Sequence, residues 1–178
     1  NLNTNKILKF LKKINIKKGD RVAAYMPNTI ETVEAFIATT SLGGIWSSCS
    51  PDFGSKGVIE RFSQINPKVL FITDQYFYNG KKIDILKRLP EILKLIPSIK
   101  NVVISNYPGK KFIKNKFKFK KIKFFKWNKL MQINAEKINF KRFDFETELA
   151  ILYSSGTTGK PKCICHRSGG VLIQHMKE

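Results

Sequence analysis

At 178 residues the chain is long enough for one domain with a real core, or for a slice of a larger one, and 42% hydrophobic residues exclude general disorder. No apolar run approaches the roughly 18 to 20 residues needed to cross a bilayer, so no membrane span is expected and a soluble protein is the default. The formal net charge of +20 would suit nucleic acid or an anionic surface, but the surplus is nearly all Lys, with Arg only at 21, 61, 88, 142 and 167. Lys comes together with abundant Asn, Ile and Phe, all with A/T-rich codons, which points to genome composition decorating solvated faces; no nucleic-acid partner is expected.

In chain order, Leu8, Leu11 and Ile14 give a partial helical stripe before the turn Lys18-Gly19-Asp20. Arg21 to Met26 reads as a short strand stopped by Pro27-Asn28. Thr29 can cap a helix to about Leu42, with Val33, Phe36, Ile37 and Thr40 near one face, ended by Gly43-Gly44. Ile45 to Ser48 is extended and Ser50-Pro51-Asp52 turns. A helix follows from about Ser55 to Ile65, with Val58, Ile59, Phe62 and Ile65 on its apolar side. Asn66-Pro67 stops it, and Val69 to Ile72 makes a nearly continuous apolar strand. A further helix over Ile83 to Ile96, interrupted or restarted at Pro90, leads to a strand at Asn101 to Ser105. Strands alternating with helices predict an α/β fold, a mainly parallel sheet flanked by helices on both faces.

From Lys110 to Lys129 the chain becomes a Lys/Phe alternation. It is read as an edge strand with Phe inward and Lys outward, which discourages edge pairing. A basic aromatic groove for single-stranded nucleic acid and an inserted surface loop are the other readings. Cys49, Cys163 and Cys165 are odd in number and lie among strand-like residues, so buried reduced thiols and a cytoplasmic setting are expected rather than a disulfide or a metal site. Trp46 and Phe53 are expected in the core.

Glu148 to Tyr153 is a strand running into Ser154-Ser155-Gly156-Thr157-Thr158-Gly159-Lys160-Pro161-Lys162. Glycines let the backbone turn its N–H groups toward an anion, and four hydroxyls add donors along the same arc. Lys162, after Pro161 fixes the exit of the loop, is the best candidate for a charged contact. Pro161 directly after Lys160 departs from the G-x-x-x-x-G-K-[ST] form, which disfavours a P-loop ATPase.

Tyr153 to Lys162, read YSSGTTGKPK, resembles the phosphate-loop signature of the adenylate-forming superfamily. The stretches Gly19 to Asn28, Ile45 to Gly54, Glu60 to Phe71 and Cys165 to Glu178 are similar to its acetoacetate–CoA ligase branch, so the resemblance covers nearly the whole chain. It implies a two-step reaction, in which a carboxylate attacks the α-phosphate of ATP with Mg2+ and the CoA thiol then displaces AMP. Acetoacetate, ATP and CoA are the implied small-molecule substrates. Ser154, Ser155, Gly156, Thr157, Thr158, Gly159 and Lys162 are the implied ATP-phosphate-binding residues, and no catalytic residue or protein metal ligand is implied within the chain.

The resemblance further implies that residues 1–178 are part of a large N-terminal AMP-binding domain, truncated at both ends, with the C-terminal domain and its adenylation lysine absent. No turnover is expected from this piece alone. His166 and His175 need not act as general bases, since the acid is already ionised; His175 is expected to be an ordinary helix residue, and a substrate contact by His166 stays open.

Overall fold

The computed structural model describes residues 2–110, 117, 119–135, 140–155 and 159–178. Helix α1 (Leu2–Lys13) buries Ile7, Leu8 and Leu11, and the turn after it is held by Asp20, whose carboxylate accepts the Lys17 amide at 3.0 Å and pairs with Lys68 at 2.7 Å. Strand β1 (Arg21–Tyr25) is buried from Val22 onward. Helix α2 (Ile30–Thr40) begins after Thr29, which is extended as a cap residue should be but makes no side-chain capping bond.

The buried face of α2 differs from the predicted one. Glu34, Ala35, Ala38 and Thr39 are buried, whereas Val33 and Ile37 are 54% and 38% exposed. Small side chains let a helix sit close on the sheet, and closeness decided the face where a count of apolar residues did not. Phe36 still reaches the core, edge-on to Trp46.

Strand β2 (Ile45–Cys49), helix α3 (Ser55–Ile65) and strand β3 (Val69–Thr73) follow the reading, with Asn66 in the left-handed conformation (φ +48°) closing α3. The helix expected over Ile83 to Ile96 is a hairpin followed by a shorter helix: β4 (Gln75–Tyr78), β5 (Lys81–Asp84), a 3-10 turn (Leu86–Arg88) and α4 (Leu89–Leu95). Asn79-Gly80, with φ of +48° and +71°, supplies the two positive-φ positions that a tight hairpin needs. Pro90 sits in the first turn of α4, where its missing N–H costs nothing.

The remaining elements are β6 (Asn101–Ser105), β7 (Lys123–Lys126), α5 (Trp127–Leu130), β8 (Glu148–Ser154), β9 (Lys162–Arg167) and α6 (Ser168–Lys177). Seven strands form one sheet in the order β7-β6-β3-β1-β2-β8-β9, parallel throughout except for the antiparallel β8–β9 pair. One face is covered by α1, α2 and α5, with Leu11, Trp46, Phe71 and Trp127 in its core; α3 and α4 cover the other with Phe62, Leu70, Leu89 and Ile92. Each turn from β1 into α2 and from β2 into α3 leaves the sheet at the same, carboxyl edge.

β7 is an edge strand, as expected, but only four residues long and without the expected alternation of inward Phe and outward Lys. Phe124 and Phe125 are half-buried on opposite faces while Lys123 and Lys126 are exposed. Phe117 stacks on Phe124 at 5.3 Å, so its ring is spent on the protein. Residues 111–116 and 118 of the stretch lie outside the described residues.

The cysteine reading is corrected in part. All three are free, but only Cys49 is buried; Cys163 and Cys165 are exposed. Both lie on β9, the edge strand at the opposite end of the sheet from β7.

Candidate functional site: a nucleotide phosphate loop

Because β1, β2, β3, β6 and β8 are parallel, their carboxyl ends share one edge of the sheet, the edge at which open α/β sheets bind ligands. β8 pairs with β2 at Trp46↔Ala150 and runs on to Ser154, so the segment that follows projects from that edge. β9 brings the chain back with Ser154 directly opposite Lys162 and Tyr153 opposite Cys163. Directly opposed residues on neighbouring strands lie side by side, which sets a hydroxyl on one stem and an ammonium on the other.

Ser154 is half-buried, and Ser155, Gly159, Lys160 and Lys162 are exposed. Gly159 has φ +102° with open space where a side chain would sit, so glycine is there for the backbone bend and not for room. Gly156, Thr157 and Thr158, expected to face the phosphates, lie outside the described residues.

Both stems are anchored by residues that the sequence reading did not single out. Tyr153, the last residue before the loop, has its hydroxyl 3.0 Å from the Oγ of buried Ser47, which itself donates to the Ile151 carbonyl at 2.9 Å. The Arg61 guanidinium lies 5.7 Å from the Tyr153 ring centre and 4.1 Å from that of Phe53, and donates to the Gly57 carbonyl at 2.9 Å. On the returning stem, Gln64 Nε2 donates to the carbonyl of buried Pro161 at 3.0 Å. Gly57, Arg61 and Gln64 are spaced four and three apart, one stripe of α3 beside the core stripe Val58, Phe62 and Ile65. The spacing of that second stripe is legible in the sequence, but the partners it meets are not.

Burial raises the Tyr153 phenol well above the usual tyrosine range; the Ser47 hydrogen bond opposes it, followed by smaller increments from the Cys49 and Cys163 thiols and a still smaller lowering by Arg61. The Cys49 thiol is pushed up to about 12, again by burial, partly countered by Arg61. Both stay neutral at physiological pH, which makes them packing and hydrogen-bonding groups and no proton carriers.

The loop between β2 and α3 is tied down by a second cluster. Arg88 Nη1 donates to the Pro51 and Phe53 carbonyls at 3.0 and 2.8 Å and to the hydroxyl of buried Tyr25. Trp46 is in the core as expected, but Phe53 is not: it is 39% exposed and serves as the platform under Arg61. The Phe53 carbonyl is held by Arg88 and Tyr25 while its ring lies under the Arg61 guanidinium. His166 and His175 come together on the wall of one cavity of about 760 Å³, with Trp46, Ser48 and Leu152. Among the described residues, no three His, Cys, Asp or Glu side chains converge as a metal site would require. No helix among them is long and apolar enough to cross a membrane.

The family model described as AMP-binding enzyme matches residues 1–177. The chain belongs to the AMP-binding enzyme family. Among curated relatives of this AMP-binding enzyme, the acetoacetyl-CoA synthetase of Gallus gallus is 44% identical over 180 residues, covering 94% of this chain and 26% of the relative. The acetoacetyl-coenzyme A synthetase of Rhizobium meliloti (strain 1021) is 44% identical over 163 residues, covering 92% of this chain and 24% of its own length. The solved acetoacetyl-CoA synthetase from Streptomyces lividans superposes with a TM-score of 0.86 at 35% identity, over 98% of this chain and 26% of that one. The chain therefore spans about a quarter of the length of the relatives it matches.

Proposed function

We propose that this chain is part of the large N-terminal domain of an ATP-dependent acetoacetate–CoA ligase, and that Ser154–Lys162 holds the outer phosphates of ATP. One observation carries the reading: in a member of the AMP-binding enzyme family, a Ser/Thr/Gly/Lys arc leaves a strand of the parallel sheet at its carboxyl edge. The printed names of the relatives supply acetoacetate as the acid. In this reading Ser154, Ser155, Gly156, Thr157, Thr158 and Gly159 present hydroxyl and backbone donors, and Lys162 adds the charge as pyrophosphate leaves. The work is electrostatic positioning and no acid–base step is assigned to the chain.

Mg2+ enters this reading with the ATP phosphates, and no side chain described above is assigned to it. CoA is the second substrate, and a cytoplasmic setting with reduced thiols fits three free cysteines. The groups that bind adenine and ribose and the adenylating lysine are assigned to the rest of the protein, so residues 1–178 alone turn over no substrate.

The test is ATP–pyrophosphate exchange by the full-length protein over a panel of short carboxylic acids. Acetoacetate should support the fastest exchange; exchange with another short 3-oxo or branched acid and none with acetoacetate would replace the substrate. Lys162→Ala should raise KM for ATP about tenfold to a hundredfold, the value of one charge-assisted hydrogen bond. An unchanged KM for ATP would remove Lys162 from the site.

A further inference from the structure

The proposed loop has a demanding specification. Its two stems have to stay at a fixed separation, or donors on opposite sides of the loop lose their common focus. Within the hairpin that separation rests on the Ser154↔Lys162 pair at the very end of the β8–β9 ladder, where strands fray most easily. A brace from outside the hairpin is therefore informative, and helix α3 supplies one on each stem.

Gln64 is the brace on the returning stem. Its Nε2 carries two protons, and both are used: one on the Glu60 carbonyl of its own helix at 2.8 Å, the other on the Pro161 carbonyl at 3.0 Å. With two carbonyl oxygens facing it, the amide cannot be turned round, because its oxygen would then meet two acceptors. The Glu60 bond folds the side chain back along α3 and aims the free proton at Pro161, the residue before Lys162. On the entering stem, Arg61 lies beside the Tyr153 ring and is itself fixed by the Gly57 carbonyl and the Phe53 ring. Gly57 is part of the device, since a Cβ there would stand 3.2 Å from Phe53 and 3.5 Å from the Arg61 guanidinium.

We infer that α3 acts as the jaw that holds the phosphate loop at its working width, and that Gln64 is a positioning residue for ATP, acting through Pro161 on Lys162. The inference rests on the ATP-loop reading above. Gln64 is exposed, so its removal is not expected to unfold the domain.

The experiment uses the full-length protein and three substitutions. Gln64→Leu keeps the bulk and removes the donor, and should raise KM for ATP about fivefold, the typical value of one neutral hydrogen bond. Gln64→Glu sets a carboxylate against two carbonyls and should raise it more than tenfold. Gln64→Lys restores a donor that can meet both carbonyls and should stay within about twofold of the parent. KM for acetoacetate and the thermal midpoint should be unchanged in all three. KM values for ATP within twofold of the parent in both Leu and Glu variants would overturn the inference, as would equal losses of kcat and melting temperature in all three variants. If the unsubstituted protein fails to exchange pyrophosphate with any acid, the ATP-loop reading itself has failed; Gln64 is then judged by backbone amide exchange at the described loop residues, which the Leu variant should accelerate and the Lys variant restore.

Discussion

Arg88→Met removes the centre of the cluster that ties the β2–α3 loop to the sheet. One guanidinium nitrogen meets three acceptors, the Tyr25 hydroxyl and the Pro51 and Phe53 carbonyls. The Tyr25 hydroxyl can still donate to Phe53, but Pro51 then keeps only a long contact to that hydroxyl at 3.4 Å. A hydrogen bond to a charged group contributes about 1.5 to 3 kcal/mol, and an acceptor left poorly satisfied costs about 1 to 3. Since Arg88 is only half-buried and water can replace part of what is lost, a cost of about 3 kcal/mol is expected. For a chain of this size that corresponds to a fall of roughly 6 to 12 °C in melting temperature. Tyr25→Phe leaves Arg88 on both carbonyls and should cost only about 1 kcal/mol, and the double variant should cost less than the sum because the groups share partners. Thermal and urea denaturation followed by circular dichroism measure all three. An Arg88→Met cost below about 0.5 kcal/mol, the range of an ordinary surface substitution, would refute the clamp.

Alkaline pH should destabilise the fold in steps. A buried thiol with its pKa raised from 9.0 to about 12 contributes stability that is complete below pH 9 and is lost as pH rises toward 12, by up to about 1.4 kcal/mol per pH unit. The phenols of Tyr25 and Tyr153, raised above 10.0, add to the loss only above pH 10. Cys49→Ala should therefore flatten the stability profile from pH 9 to about 12, most legibly between pH 9 and 10 where the tyrosines do not yet contribute, measured by urea unfolding under reducing conditions; an unchanged slope there would show that Cys49 is not a group titrating. Two neighbouring glycines of α6 should respond oppositely. A Cβ on Gly169 would stand 2.1 Å from the Phe145 ring, so Gly169→Ala should cost about 1 to 3 kcal/mol, whereas Gly170 faces open space and Gly170→Ala should stabilise by up to about 1 kcal/mol, both read from melting curves. Phe62→Ala empties a fully buried position under α3 and should cost about 3 to 5 kcal/mol by urea denaturation.

The amino-acid sequence by itself determined the elements whose signals are local. Short β-branched apolar runs at Val69 to Ile72 and Asn101 to Ser105, each following a turn signal, read as buried strands, Asn66-Pro67 stopped a helix, and the parallel sheet followed from the alternation. Asn79-Gly80 was an equally local hairpin signal that the reading of the segment as a helix left unused. The composition of Ser154 to Lys162 likewise raised the proposal of a phosphate loop, because a donor-rich arc is a property of neighbouring residues. What only the tertiary structure decided depends on distance between parts remote in sequence. Which face of α2 is buried was set by how closely Ala35 and Ala38 let it approach the sheet, and the exposure of Cys163 and Cys165 by the place of β9 at the rim. The grip of α3 on the loop joins residues nearly a hundred positions apart, Gln64 with Pro161 and Arg61 with Tyr153. No periodicity could reveal it, because a hydrogen bond or ring contact between distant segments exists only once the sheet has placed β8 and β9 alongside the helix.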